Sequence, residues 1–116
     1  MQRDPRAYLW DAREAAVAIL SFTAGLDVKA YVGNELVQAA VERKFEVIGE
    51  ALNQLSKFDA AKAARIQDVP QIVAFRNQLI HGYATTVNPG TVWNIVQNAL
   101  PGLLGAVQTL LDEPGR

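Results

Sequence analysis

From Ala7 to Phe22 the chain runs without a glycine or a proline and is rich in alanine and leucine. A run of this kind buries apolar side chains as a helix and offers no strand-like alternation to a sheet. Its flanks agree. Asp4-Pro5 has the order of an N-cap followed by proline at the first helical position, and Gly25 is a natural stop. The sequence therefore predicts a first helix over about residues 5–24.

The same grammar repeats downstream. Leu26 to Gly33 has room for one helical turn. Asn34 can cap a second helix over about residues 35–57, on which Val37, Ala40, Val41, Ile48, Ala51 and Leu55 share one face. Arg43, Glu46 and Glu50 share another. Lys44 falls inside the apolar stripe. Its stem is expected to snorkel at a helix crossing; the alternative is an ammonium that faces a partner or a phosphate. Asp59 to Ile66 is alanine-rich and reads as a short helix. Asp68 caps a fourth helix, with Pro70 in its first turn, that ends near Ile80 or His81, before Gly82. Pro89 opens a last helix over about residues 90–111, kinked by Pro101-Gly102. No alternation, repeat or low-complexity tract interrupts this pattern. All 116 residues form one domain, an all-α, up-and-down bundle of four to five helices.

Composition narrows the chemistry. The net charge is −1 and the isoelectric point is near 5.7. That is no footprint for strong nonspecific nucleic-acid binding, so any RNA contact has to be local or built by two chains. With no cysteine and one histidine, thiolate metal sites and a histidine cluster within one chain are excluded. No signal peptide or apolar run of membrane-spanning length is visible, so a soluble cytoplasmic protein is expected.

The informative stretch is QIVAFRNQLIHGY, residues 71–83. On a helix, Ile72, Phe75, Leu79 and Ile80 make an apolar sector with Arg76 in its middle. A guanidinium placed there needs a carboxylate, a phosphate or carbonyls, and Glu46 and Glu50 are candidate partners. His81 lies about 140° from Arg76 on a regular helix. The two meet only if Gly82 lets His81 swing round, or if a second chain brings its own pair. Asn77, one turn before His81, shares its face and could orient the ring. A histidine that moves a proton and an arginine that grips a phosphate suffice to cleave RNA without a metal. On spacing alone, the ordinary alternative is a surface histidine and a structural ion pair.

The string Arg76-Asn77-Gln78-Leu79-Ile80-His81-Gly82-Tyr83 resembles the HEPN signature, an arginine followed after four to six residues by a histidine. Its R-N-x-L-x-H-x-Y form is similar to HepT-like toxins of HEPN/MNT toxin–antitoxin systems (type VII). Asp4-Pro5-Arg6, Leu36 to Arg43, Val47 to Ala51, Val92 to Asn98 and Leu100-Pro101 resemble the flanking parts of that family, so the similarity spans nearly the whole chain. Ala74-Phe75 and Lys44 depart from it, standing where Gly-Met and Asn are common. The resemblance implies a metal-independent endoribonuclease with no cofactor, with Arg76 and His81 in its site. It implies a homodimer whose cleft draws those residues from both chains. It also implies a nucleotidyltransferase antitoxin that transfers AMP to Tyr83. HEPN domains also serve as noncatalytic modules. The alternatives are a noncatalytic helical partner of a nucleotidyltransferase and a plain helical interaction protein.

Overall fold

A computed structural model of the protein describes residues 4–81 and 87–114. Among these, seven helices and no strands are present: α1 (Pro5–Thr23), α2 (Val28–Val32), α3 (Glu35–Phe58), α4 (Ala60–Ala63), α5 (Val69–His81), α6 (Pro89–Asn98) and α7 (Leu100–Asp112). The all-α bundle expected from the sequence is present. No helix among the described residues is long and apolar enough to cross a membrane.

Side-chain caps set most of the helix starts. The Asp4 carboxylate accepts from Arg6 N–H at 2.9 Å, Asn34 Oδ1 from Val37 N–H at 3.1 Å, and Asn88 Oδ1 from Gly90 N–H at 2.8 Å. Each satisfies a donor that a helix start leaves orphaned. After α1 the chain turns at Gly25, whose φ of 78° lies in the left-handed region where a side chain is strained. Asp59 serves two helices: its N–H donates to Leu55 O at 2.7 Å, closing α3, and its side chain accepts from Lys62 N–H at 3.1 Å, opening α4.

The last helix differs from expectation. It is two helices meeting at Ala99, not one helix kinked at Pro101-Gly102. Proline has no N–H for the carbonyl four residues back and crowds the turn before it, so the break falls upstream of Pro101.

α3, about 36 Å long at 1.5 Å per residue, is the spine. α1 and α5 pack along it, α7 lies against α1, and α2 bridges α3 to α6. Leu9 and Ile19 of α1, Val41, Ile48, Leu52 and Leu55 of α3, Val92 and Val96 of α6, and Leu100, Val107 and Leu110 of α7 are fully buried. Each such side chain contributes roughly 1.5–3 kcal/mol through apolar burial. Tyr31 of α2 packs on Trp93 of α6 with ring centroids 5.4 Å apart. The two ends of the bundle are clasped: Arg6 Nη2 donates to Leu111 O at 2.7 Å, and Arg65 forms an ion pair with Glu113.

α5 is the exception to this burial. Only Val69 of its residues is buried. Ile72, Val73, Phe75 and Leu79 are half-covered, and Ile80 stays 40% exposed. Phe75 meets Phe45 of α3 edge to face, centroids 5.4 Å apart.

Candidate active site

Arg76 leaves the inner side of α5 and crosses α3. Its Nη2 donates to Glu50 Oε1 at 2.6 Å, and its Nη1 donates to Asn77 Oδ1 at 2.6 Å. Its Nε is buried without a hydrogen-bond partner among the described residues. The Arg76 side chain is 23% exposed and that of Glu50 46%. The ion pair thus sits at the rim of the bundle, where water reaches the carboxylate more than the guanidinium. Of the two candidate partners, Glu50 takes Arg76. Glu46, one turn earlier on α3, pairs instead with Arg43 at 3.2 Å.

These groups line a groove of about 460 Å³ between α1, α3 and α5, where Asp11, Glu46 and Glu50 face Arg43 and Arg76, with Ile80 at the edge. Both guanidinia of the groove are already paired, Arg76 with Glu50 and Arg43 with Glu46. The like charges along α3 are felt further down the helix. Burial, and then the neighbouring charge of Glu46, push the Glu42 carboxyl above the usual carboxylate range.

His81 does not line that groove. It is the last residue of α5 and is exposed, as the 140° offset from Arg76 requires of a helix that stays regular to its end. Asn77 lends its oxygen to Arg76, so that oxygen is committed to the arginine and not to the histidine ring. Tyr83 lies outside the described residues.

A larger, mainly apolar cleft of about 620 Å³ lies along α5, between Phe75 and Leu103. It contains neither Arg76 nor His81, and its arginine, Arg65, is held by Glu113. Its size does not make it the reactive site, because the groups that could grip a phosphate or move a proton lie elsewhere.

The sequence pattern did not single out Asp11, which enters the groove from α1, or Gly49, which is buried under Arg76. The second had a signal: a glycine in mid-helix marks a close approach by something else. The first had none, because an aspartate near the start of an amphipathic helix is ordinary.

Residues 12–110 match the family model described as Ribonuclease HepT-like. A Methanocaldococcus jannaschii protein named "Putative RNase MJ1380" is 31% identical over 92% of this chain and 96% of its own. A second from that organism, "Putative RNase MJ1216", is 32% identical over 97% of this chain and 91% of its own. A Thermococcus cleftensis protein named "Probable ribonuclease HepT" is 31% identical over 95% of this chain and 98% of its own. No solved structure matches the chain. The similarity spans α1 to α7 and includes the Arg76 helix, and on that ground the chain belongs to the HepT-like ribonuclease family of HEPN proteins.

Proposed function

We propose that the protein is the toxin of a HEPN/MNT toxin–antitoxin system, a metal-independent endoribonuclease acting as a homodimer and silenced by AMP transfer to Tyr83. The observation that carries this reading is Arg76. Its guanidinium is held at the mouth of a groove by Glu50 and Asn77 through two 2.6 Å contacts, which orients its planar fork for a bidentate phosphate. His81 stands exposed at the end of the same helix. The half-covered face of α5 supports pairing with a second copy, which would bring another Arg76 and His81 to a joint cleft.

In such a cleft the ribose 2′-oxygen attacks phosphorus as one imidazole accepts its proton. The P–O5′ bond breaks as the other imidazole gives a proton to the leaving oxygen. A 2′,3′-cyclic phosphate and a 5′-hydroxyl end result. Arg76 holds the non-bridging oxygens, where negative charge builds up in the transition state. Silencing by an antitoxin joins the Tyr83 phenolic oxygen to the α-phosphorus of ATP and releases pyrophosphate. The adduct places a phosphodiester two residues from His81 and can itself engage Arg76.

The chain's net charge of −1 favours one rival, a noncatalytic partner that assembles with a nucleotidyltransferase without binding RNA. An assay on metal-stripped protein with a mixed RNA pool separates the two. Cleavage that persists in chelator and leaves cyclic phosphate ends is the expected result. Intact RNA from well-folded dimer would favour the rival, and cleavage restored only by added metal would refute the metal-free mechanism.

A further inference from the structure

Four glycines lie within the described helices, and they differ in what surrounds them. A Cβ added at Gly102 or Gly105 of α7 would meet nothing within 4 Å, and one at Gly90 would meet only its capping Asn88 oxygen. At Gly49, in the middle of α3, a Cβ would stand 2.2 Å from Arg76 Cβ, 2.7 Å from its Cγ and 3.4 Å from its Cδ. The stem of Arg76 therefore runs across the bare Cα of Gly49 on its way to Glu50, the next residue of α3.

Rotation of the arginine cannot relieve this contact. Cβ is fixed by the backbone, whatever the side-chain torsions, and two carbons require roughly 3.5–4 Å. A methyl group at position 49 would force α5 back by about an ångström or more and close the path of the stem. Alanine is the better helix former, so a glycine here works against the helix it interrupts.

We propose that Gly49 is a positioning residue for the ribonuclease site: its missing side chain is the slot through which Arg76 crosses α3 to set its guanidinium on Glu50. This rests on the reading of Arg76 as the phosphate-binding group. It does not rest on Gly49 touching substrate.

The test compares Gly49→Ala, Arg76→Gly, the exchange that combines the two, and Gly105→Ala as a control outside the groove. Melting temperature, 15N NMR of the Arg76 guanidinium, and turnover of RNA per folded molecule are read for each. Gly105→Ala should raise the melting temperature and leave turnover unchanged. Gly49→Ala should lower it by roughly 5 °C, shift or broaden the Arg76 signals, and reduce kcat about a hundredfold in fully folded protein. The exchange should melt no lower than Arg76→Gly alone, because without the arginine stem position 49 accepts a methyl, and it should not recover cleavage. If Gly49→Ala does not fold, the exchange is read against Arg76→Gly alone: an exchange that melts at least as high supports the slot, and one that melts lower overturns it. A Gly49→Ala protein more stable than wild type, one with unmoved Arg76 signals, or one that cleaves like wild type would also overturn the proposal. Should the wild-type protein cut no RNA, the ribonuclease reading fails by itself. The NMR and melting results then still decide whether Gly49 positions Arg76.

Discussion

Arg76 and Glu50, 26 residues apart in sequence, meet at 2.6 Å where α5 crosses α3. The pair is only partly shielded, with Glu50 nearly half exposed, so its loss is a modest stability event. Arg76→Ala should cost about 1 kcal/mol yet abolish cleavage. His81→Ala, at an exposed helix end, should stay within about 0.5 kcal/mol of wild type and abolish cleavage equally. Denaturant melts beside an RNA cleavage assay check both. Wild-type turnover by either variant removes that residue from the catalytic set.

Glu50 is both the clamp on Arg76 and a competitor for the site that RNA phosphate would take. Glu50→Gln keeps the shape and removes one of the groove's three carboxylates. RNA should then bind severalfold more tightly at low salt, with the gain shrinking as screening increases, while kcat falls because the guanidinium is less firmly oriented. Fluorescence anisotropy against ionic strength measures the first effect. Weaker binding at every salt concentration would mean that Glu50 aids phosphate capture and does not compete with it.

Tyr83→Phe removes the oxygen that we propose accepts AMP and nothing else from the motif. The variant should cleave RNA as wild type does and stay active after incubation with the cognate nucleotidyltransferase and ATP. Wild-type protein should gain the mass of AMP and lose activity. Intact-mass spectrometry decides, and undiminished AMP addition to the variant would place the modified residue elsewhere.

The α5 face that α3 leaves half-covered should be closed by a second copy. Sedimentation at micromolar concentration should show a dimer, and Ile80→Lys, which puts a charge on an exposed apolar position of that face, should shift it toward monomer with loss of cleavage. A wild-type monomer that cleaves at full rate would contradict the joint cleft.

Tyr31 gives a prediction remote from the site. Its ring is fully buried, and its hydroxyl has no hydrogen-bond partner among the described residues. Burial, and then the nearby Glu42 charge, push the phenol up to about 12. In the unfolded chain a tyrosine ionises near pH 10. Between those values the unfolded state gives up a proton that the folded state keeps. The contribution is therefore whole below pH 10 and lost as pH rises toward 12, by roughly 2–3 kcal/mol. Tyr31→Phe should match or exceed wild-type stability at pH 8, since an orphaned hydroxyl is removed, and should lose less stability by pH 11. Parallel losses in the two proteins would show that the phenol plays no part.

Helix boundaries were legible in the sequence at Asp4 and Asn34, whose side chains cap α1 and α3, and at Gly25, where the chain turns after α1. Asp68, expected to cap α5, instead takes a positive φ of 66°, and the caps at Asp27 and Asn88 were not read. Nor was the break before Pro101 legible, because proline marks the residue that lacks a donor and not the carbonyl that goes unserved. The apolar stripe of α3 was visible in Val41, Ile48, Ala51 and Leu55, and it also takes in Phe45 and Leu52 at its centre. Glu50 and Glu46 were equivalent partners for Arg76 on a helical wheel. Only the crossing point of α5, set by the bare surface of Gly49, distinguishes them. Asp11 was invisible for the same reason: which face of α1 borders the groove depends on how three helices pack, and local pattern does not encode that.

The clasp between Arg6 and Leu111, reinforced by Arg65 and Glu113, makes the succession of helices a closed circuit. Residues near the two ends are already neighbours, so a short linker could join them and the chain could be cut elsewhere, as in a circular permutant. Opened between α4 and α5, it would keep the α3–α5 crossing but turn it from a local hairpin into a contact between the two ends of the new chain. The permutant would then have to close its longest loop last to assemble the Arg76 groove, and folding rate would separate from final stability.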